Sequence, residues 1–266
     1  MNTINEDFWS SPPWGTGEKK YRMGLKPIEI DSWLDRTPNK KLIEHKKNLF
    51  SESYEKVVAA TACSKDAQKH LGEIFGIQKT SYPDLIAELS LCIQDDLCLL
   101  ESSGEQRLLA ASICSPSYWD VRTKIGKPLK IIHSPVTSLE EKIGDKISKF
   151  IKQAPILKPF ARQNWLIHGD TKRFHLIEEE ELKTHPSDWF IRSEKETLCR
   201  FHNNYSLFTI NVIFQPLKLI HEYPDQKNAL IQSLNSFDED ESKYFGGINK
   251  INSCLLYTSP SPRDIS

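Results

Sequence analysis

The sequence predicts an α+β fold, in which N-terminal helices pack on a five-stranded antiparallel sheet with inserted helices. Between residues 38 and 89, apolar residues recur at helical spacing with two interruptions, and this pattern predicts three helices. From residue 97 onward, short apolar segments come in pairs joined by polar turns, which is typical of antiparallel hairpins. Helices followed by hairpins favour the α+β class.

Five segments are predicted as strands because each is short, apolar and bounded by turn residues. They are 97–101 and 107–114, which form a first hairpin, then 164–168, and finally 190–201 and 205–214, which form a second hairpin. Two hairpins separated by inserted helices are compatible with a PAS-like cofactor pocket.

Three more helices are predicted around the strands. A short one spans 117–125 and ends at Gly126, and another spans 224–234. The third, over 138–153, is amphipathic and begins with a capping box made by Ser138 and Glu141.

The chain is predicted to have three parts. Residues 1–38 form an irregular arm that is rich in proline and docks its tryptophans, and residues 39–253 form a single domain. Residues 254–266 contain CLLYTSPSPRD, which is typical of a translated sequencing adapter, so we expect this end to be a scar on a C-terminally truncated protein.

Composition and missing motifs exclude several classes of function. A formal net charge of -1 gives no general attraction for nucleic acid or anionic membranes, and the apolar runs are too short to span a bilayer, so a cytoplasmic protein is expected. The sequence has no HExxH, Walker loop, GxGxxG or nucleophile elbow, which disfavours common hydrolase, kinase and nicotinamide chemistry.

Among the eight histidines, His133 stands out because it ends an apolar run and precedes the rigid Ser134-Pro135 bend. From the residues alone, a structural histidine and a fixed ligand are both open. His168 ends an apolar strand, where it is either a strand-end residue or a pocket residue. A solvated role is expected for His45, His70, His175, His185 and His202.

One predicted strand carries charges on a single face. Arg192, Glu194, Glu196 and Arg200 are separated by even numbers of residues, so their side chains point to the same side. This face is either solvent-exposed or the wall of a polar pocket that presents carboxylates to a cationic ligand such as an amine.

Several longer segments together resemble the alpha subunit of heme-dependent oxidative N-demethylase and its relatives. They are RMGLKPIEIDSWL at 22–34, IQDDLCLLE at 93–101, KIGKPLKIIHSPV at 124–136, RQNWLIHGD at 162–170, IRSEKETLCRF at 191–201 and LFTINVIFQPL at 207–217. The segments cover about 200 residues in the family's order.

The resemblance implies a PAS-like domain that binds heme b. It makes His133 the preferred axial ligand of the iron, with His168 as the alternative. It also suggests packing of Tyr118 and Trp119 on the macrocycle. Candidates for the heme propionates are Arg122, Lys127 and Arg162.

The activity implied by the resemblance is the oxidation of a methyl group of dimethylamine by O2, with release of formaldehyde and methylamine. Glu194 and Arg200 are the candidate catalytic residues, and electrons are expected to arrive from NADPH through flavin and iron-sulfur subunits. The family motif ERQTL is replaced by EKETL at residues 194–198, so the substrate implied by this sequence need not be dimethylamine. A heme-binding sensor or an assembly module without turnover is the alternative function.

Overall fold

A seven-stranded antiparallel sheet forms the centre of the protein in the computed structural model, which describes residues 6–17, 19, 22–37, 39–134, 140–177 and 182–258. The strands are β1 (Lys26–Pro27), β2 (Val58–Ala60), β3 (Asp96–Glu101), β4 (Leu108–Ser112), β5 (Phe160–His168), β6 (Phe190–Arg200) and β7 (Tyr205–Pro216). Their order across the sheet is β1-β5-β6-β7-β3-β4-β2.

The α+β class is confirmed, whereas the expected number of five strands is wrong. Both predicted hairpins and the third strand are present, as β3–β4, β6–β7 and β5. The two additional strands, β1 and β2, lie at the two edges of the sheet. They contain only two and three residues, so neither shows an alternation that sequence reading can detect.

Nine α-helices surround the sheet in the described part of the chain. They are α1 (Glu6–Ser10), α2 (Lys40–Val57), α3 (Lys65–Phe75), α4 (Leu85–Ser90), α5 (Leu129–His133), α6 (Asp145–Gln153), α7 (Pro224–Asn235), α8 (Glu239–Tyr244) and α9 (Ile248–Thr258). The three helices predicted between residues 38 and 89 are confirmed as α2, α3 and α4.

Two of the inserted helices differ from expectation. The segment 117–125 contains only a short 3-10 helix, Val121–Thr123, since Tyr118 adopts a positive φ of 63° that is incompatible with a continuous helix. The amphipathic helix contains a π-helical turn, Glu140–Gly144, before α6 begins. The predicted capping residue Ser138 lies outside the described residues.

The sheet has two different faces. On one face, residues such as Leu97, Leu99 and Leu207 pack against α2, α3 and α4, and farther along the sheet Trp165 and Ile191 belong to a second apolar cluster with α7 and α9. On the opposite face, a small apolar cluster around β3 and β4 is covered by the segment that contains Val121. The remainder of that face, over β5, β6 and β7, carries the charged side chains.

The arm and the C-terminal helix both contribute to the core. Trp9 and Trp14 are buried, so the tryptophans dock as expected, and Trp9 stacks on Tyr223 with ring centroids 4.9 Å apart. In α9, Cys254 is buried in the cluster that contains Trp165. The adapter origin of 254–266 remains a prediction, and residues 259–266 lie outside the described part.

Candidate functional site

The charged residues of β5 and β6 form a buried hydrogen-bonded network. Antiparallel pairing sets Arg162 opposite Glu196 and Asn164 opposite Glu194. Arg162 donates to Glu196, Asn164 Nδ2 donates to Glu194 Oε2 over 2.9 Å, and Arg192 Nε donates to Glu194 Oε1 over 2.9 Å. Since Arg192 is 1% exposed and both carboxylates are also buried, this face is not a solvent face.

Arg200 lies apart from this network, although it follows the same period along β6. Its guanidinium donates to the carbonyl oxygens of Lys152 at 3.1 Å and Asn203 at 2.8 Å. These bonds join the end of α6 to the β6–β7 turn. The geometry therefore gives Arg200 a role in fixing the backbone.

Tyr244, which the sequence did not single out, ends α8 close to Glu194 and Glu196. The residue as a whole is 40% exposed, while burial of the phenol raises its pKa, and the charges of Glu194 and Glu196 raise it further. The phenol therefore stays protonated near neutral pH. The nearest feature that could be found in the sequence is the capping box of Asp238 and Glu241, which marks the start of α8 but not Tyr244 itself.

His133, at the end of α5, is close enough to Arg162 of the network for the two side chains to interact electrostatically. Its imidazole is partly buried, and burial followed by the positive charges of Arg162 and Lys124 lowers its pKa to about 4. The ring is therefore neutral near pH 7 and keeps a lone pair for a metal. Pro135 lies outside the described residues.

We call the group of His133, Arg162, Glu194, Glu196 and Tyr244 the cleft, because Arg162 is close enough to each of the other four side chains to interact with it electrostatically. The π-helical turn is tied to α8 because Lys142 binds Asp238 and Glu241. The partly exposed side chains of β7 on the same face of the sheet are Phe208, Ile210 and Phe214.

His168 lies at the opposite end of β5. It is six residues from Arg162, a separation of about 20 Å along a strand. Because His133 lies close to Arg162, His133 and His168 cannot both bind one iron in the same position. The ring is completely buried, stacks on Tyr118 with centroids 5.1 Å apart, and its Nε2 lies 3.2 Å from Ser117 Oγ. Its Nδ1 is buried and has no hydrogen-bond partner among the described residues.

The solvated role expected for His175 is wrong. The residue is 6% exposed, its Nε2 lies 3.2 Å from Asp170 Oδ1, and its ring meets His168 edge-on with centroids 5.4 Å apart. The backbone N–H of His175 donates to Pro116 O over 3.3 Å, and this bond holds the loop that contains His175 against the interior. This burial arises from tertiary contacts that a polar local sequence does not reveal.

The other predicted cofactor residues are dispersed. Trp119 is half-buried against the apolar cluster on β3 and β4, while Tyr118 stacks on His168. Arg122 is exposed and paired with Asp120, and Lys127 is also exposed. Of the three propionate candidates, Arg162 alone is in the cleft.

The residues of the cleft fit a heme. Heme needs a neutral nitrogen ligand, an apolar support and a cation for its propionates. His133 would supply the nitrogen, the β7 side chains would supply apolar surface, and Arg162, whose guanidinium donates to Arg22 O over 3.3 Å, would supply the cation. Among the described residues no three His, Cys, Asp or Glu side chains converge on a bare metal ion, but heme iron requires only one axial residue.

The two neutral histidines predict a measurable pH dependence of stability. Below pH 6.5 the unfolded chain protonates both imidazoles, whereas the folded chain does not, because burial lowers their pKa values to about 4 for His133 and about 2 for His168. Stability is therefore lost as the pH falls from 6.5. Urea unfolding at several pH values should show a weaker loss between pH 6.5 and 4 for His133→Gln than for the parent; equal slopes would contradict this account.

Comparison with known protein families shows which family the chain resembles. A family model described as "Haem-dependent oxidative N-demethylase, alpha subunit-like" matches residues 69–251, which include the cleft residues. None of the curated proteins gives a match to the chain. No helix in the described ranges is long and apolar enough to cross a membrane.

Proposed function

Because the chain belongs to the heme-dependent oxidative N-demethylase alpha subunit-like family, we propose that it binds heme b in the cleft and demethylates a small secondary amine such as dimethylamine. The observation that carries this proposal is the pair of buried carboxylates, Glu194 and Glu196, in the same cleft as the neutral His133. The family description, an alpha subunit, implies that the working enzyme has other subunits.

The proposed reaction needs O2, two electrons and two protons. Dimethylamine, O2, two electrons and two protons give methylamine, formaldehyde and water, so one C–N bond breaks and one oxygen atom enters the carbon product. When bound, heme supplies the activation of O2 and the oxidation of the methyl group. The electrons come from outside this chain, for which flavin and iron-sulfur subunits are the proposed source.

The protein side chains bind and orient the amine. A protonated secondary amine carries two N–H donors, and each carboxylate oxygen of Glu194 and Glu196 can accept a second hydrogen bond beyond those it already has. Because the carboxylates are buried, the attraction is less screened than at the surface. In this proposal Glu194 binds the amine, whereas Arg200 donates a hydrogen bond to the backbone at the end of α6 and does not contact the substrate.

Tyr244 and His133 have separate roles in this scheme. The raised pKa of Tyr244 keeps its hydroxyl protonated, so it can donate a hydrogen bond from the phenol oxygen close to Glu194. When heme is bound, His133 would hold the iron, and Arg162 would bind a propionate while it keeps its hydrogen bond to Glu196.

Replacing Glu194 by glutamine should weaken amine binding. A hydrogen bond to a charged group contributes about 1.5–3 kcal/mol, so the Michaelis constant for dimethylamine should rise by about 10- to 100-fold. The readout is the rate of formaldehyde release at several amine concentrations. Glu239→Gln, at an exposed carboxylate in α8, is the matched control and should leave the Michaelis constant unchanged.

The same assay tests the proposed function. Heme-loaded protein supplied with a chemical reductant and O2 should release formaldehyde and methylamine in equal amounts from dimethylamine. Heme binding without any formaldehyde from a panel of methylamines would instead favour a heme-binding sensor or an assembly module.

A further inference from the structure

We propose that one basic surface of the protein docks a partner protein with an acidic face that delivers electrons to the cleft. The observation is a strong asymmetry of charge along the chain. Residues 122–158 contain nine lysines and arginines against three carboxylates, whereas the whole chain has a net charge of -1. The basic surface consists of Lys127, Lys130, Lys146, Lys149, Lys152 and Lys158.

The fold brings these lysines to one region. The β3–β4 hairpin holds both halves of the segment, since Leu108 N donates to Lys127 O over 3.1 Å and Gln106 Nε2 donates to Ser148 O over 2.8 Å. α5, which carries Lys130, also contacts the π-helical turn from which α6 continues. Within α6, Lys146, Lys149 and Lys152 follow one another at intervals of three residues on the exposed side.

The charges on this surface are available to a partner. All six lysines are exposed, and none forms an ion pair with a carboxylate among the described residues. Lys142, by contrast, is bound by Asp238 and Glu241 and is not part of the basic surface. Three large apolar side chains in the same segment are also exposed, Ile131 at 50%, Ile156 at 44% and Leu157 at 46%. Apolar contacts surrounded by unpaired charges are typical of protein–protein interfaces.

The position of the surface identifies the kind of partner. Lys130 lies in the same short helix as His133, less than one turn away, and Lys124 Nζ donates to the carbonyl oxygen of Ile132, the residue before His133, over 3.4 Å. This inference rests on the proposed function, which requires two electrons from outside the chain. Acidic electron carriers are steered to a basic surface by charge, and docking here places them next to the proposed iron ligand.

Charge reversal on α6 tests the proposal. The probe is an acidic plant-type [2Fe–2S] ferredoxin, whose binding to the heme-free chain is measured at 20 mM and 500 mM NaCl. Lys146→Glu, Lys149→Glu and Lys152→Glu together should weaken binding by about 10-fold or more at low salt and have little effect at high salt. The inward residues Ile147 and Ile151 are unchanged, so α6 keeps its packing.

The control carries the same change of charge on another surface. Lys41→Glu and Lys47→Glu on α2, with Lys69→Glu on α3, alter three exposed lysines on the side of the sheet opposite the cleft and should leave binding unchanged. Equal losses in both triple variants, no binding by the parent, or tighter binding to single-stranded DNA or phosphatidylserine vesicles than to ferredoxin would overturn the proposal. Binding is read without turnover, so inactivity toward amines does not affect the result.

Discussion

We expect His133→Ala to lose the Soret band that loading with hemin should give the parent protein, and His168→Gln to retain it. The expected effect is complete because the described part of the cleft has no second imidazole to replace His133, and His168 lies about 20 Å from Arg162 along β5. The band is measured after removal of unbound hemin by gel filtration, at equal protein concentration.

Rescue distinguishes the loss of a ligand from the loss of the fold. Added imidazole should enter the space left in His133→Ala and restore the band, which would not occur if the variant had unfolded. A Soret band of unchanged position and intensity in His133→Ala without imidazole would show that another residue holds the iron. Loss of the band in His168→Gln alone would assign the iron to that histidine.

Arg192→Leu is expected to lower the free energy of unfolding by about 3–5 kcal/mol, because removal of one partner leaves the other charge of a buried pair uncompensated. Arg192 is 1% exposed, and it donates to Glu194 Oε1 at 2.9 Å and to Ser115 O at 2.5 Å. Chemical denaturation of the purified variant measures the change.

A second substitution tests the cause. Arg192→Leu combined with Glu194→Leu removes both charges and should recover a large part of the lost stability. Lys195→Leu changes an exposed lysine of the same strand on the other face and should alter stability by less than about 0.5 kcal/mol. A loss below about 1 kcal/mol for Arg192→Leu would mean that the pair does not hold the network together.

The strands that could be predicted are those with enough residues to show a pattern. β6 has eleven residues, so its period of two is sufficient to place Arg192, Glu194 and Glu196 on one side of the strand. Lys46 shows the limit of this reasoning, because a lysine on a helix reads as exposed. It is completely buried in α2, where its ammonium group donates to the carbonyl oxygens of Ser90, Ile93 and Asp95.

Half of the candidate site depends on contacts between distant segments. The pairing of Arg162 with Glu196 follows from the register of β5 against β6, which neither strand specifies alone. Tyr244 reaches the same cleft from α8, and nothing near it in the sequence marks it as a site residue. His133 could be singled out from its neighbours and the family resemblance, but its proximity to Arg162 required the fold.

Binding of dimethylamine to the heme-loaded protein, followed as a change in the Soret band, tests the central claim most directly. One titration reports whether the heme and the carboxylates share a cleft. We predict a saturable spectral change in the parent that requires at least about 10-fold more amine in Glu194→Gln. A spectral response of the same affinity in both proteins, or none in the heme-loaded parent, would contradict an amine site formed by these residues.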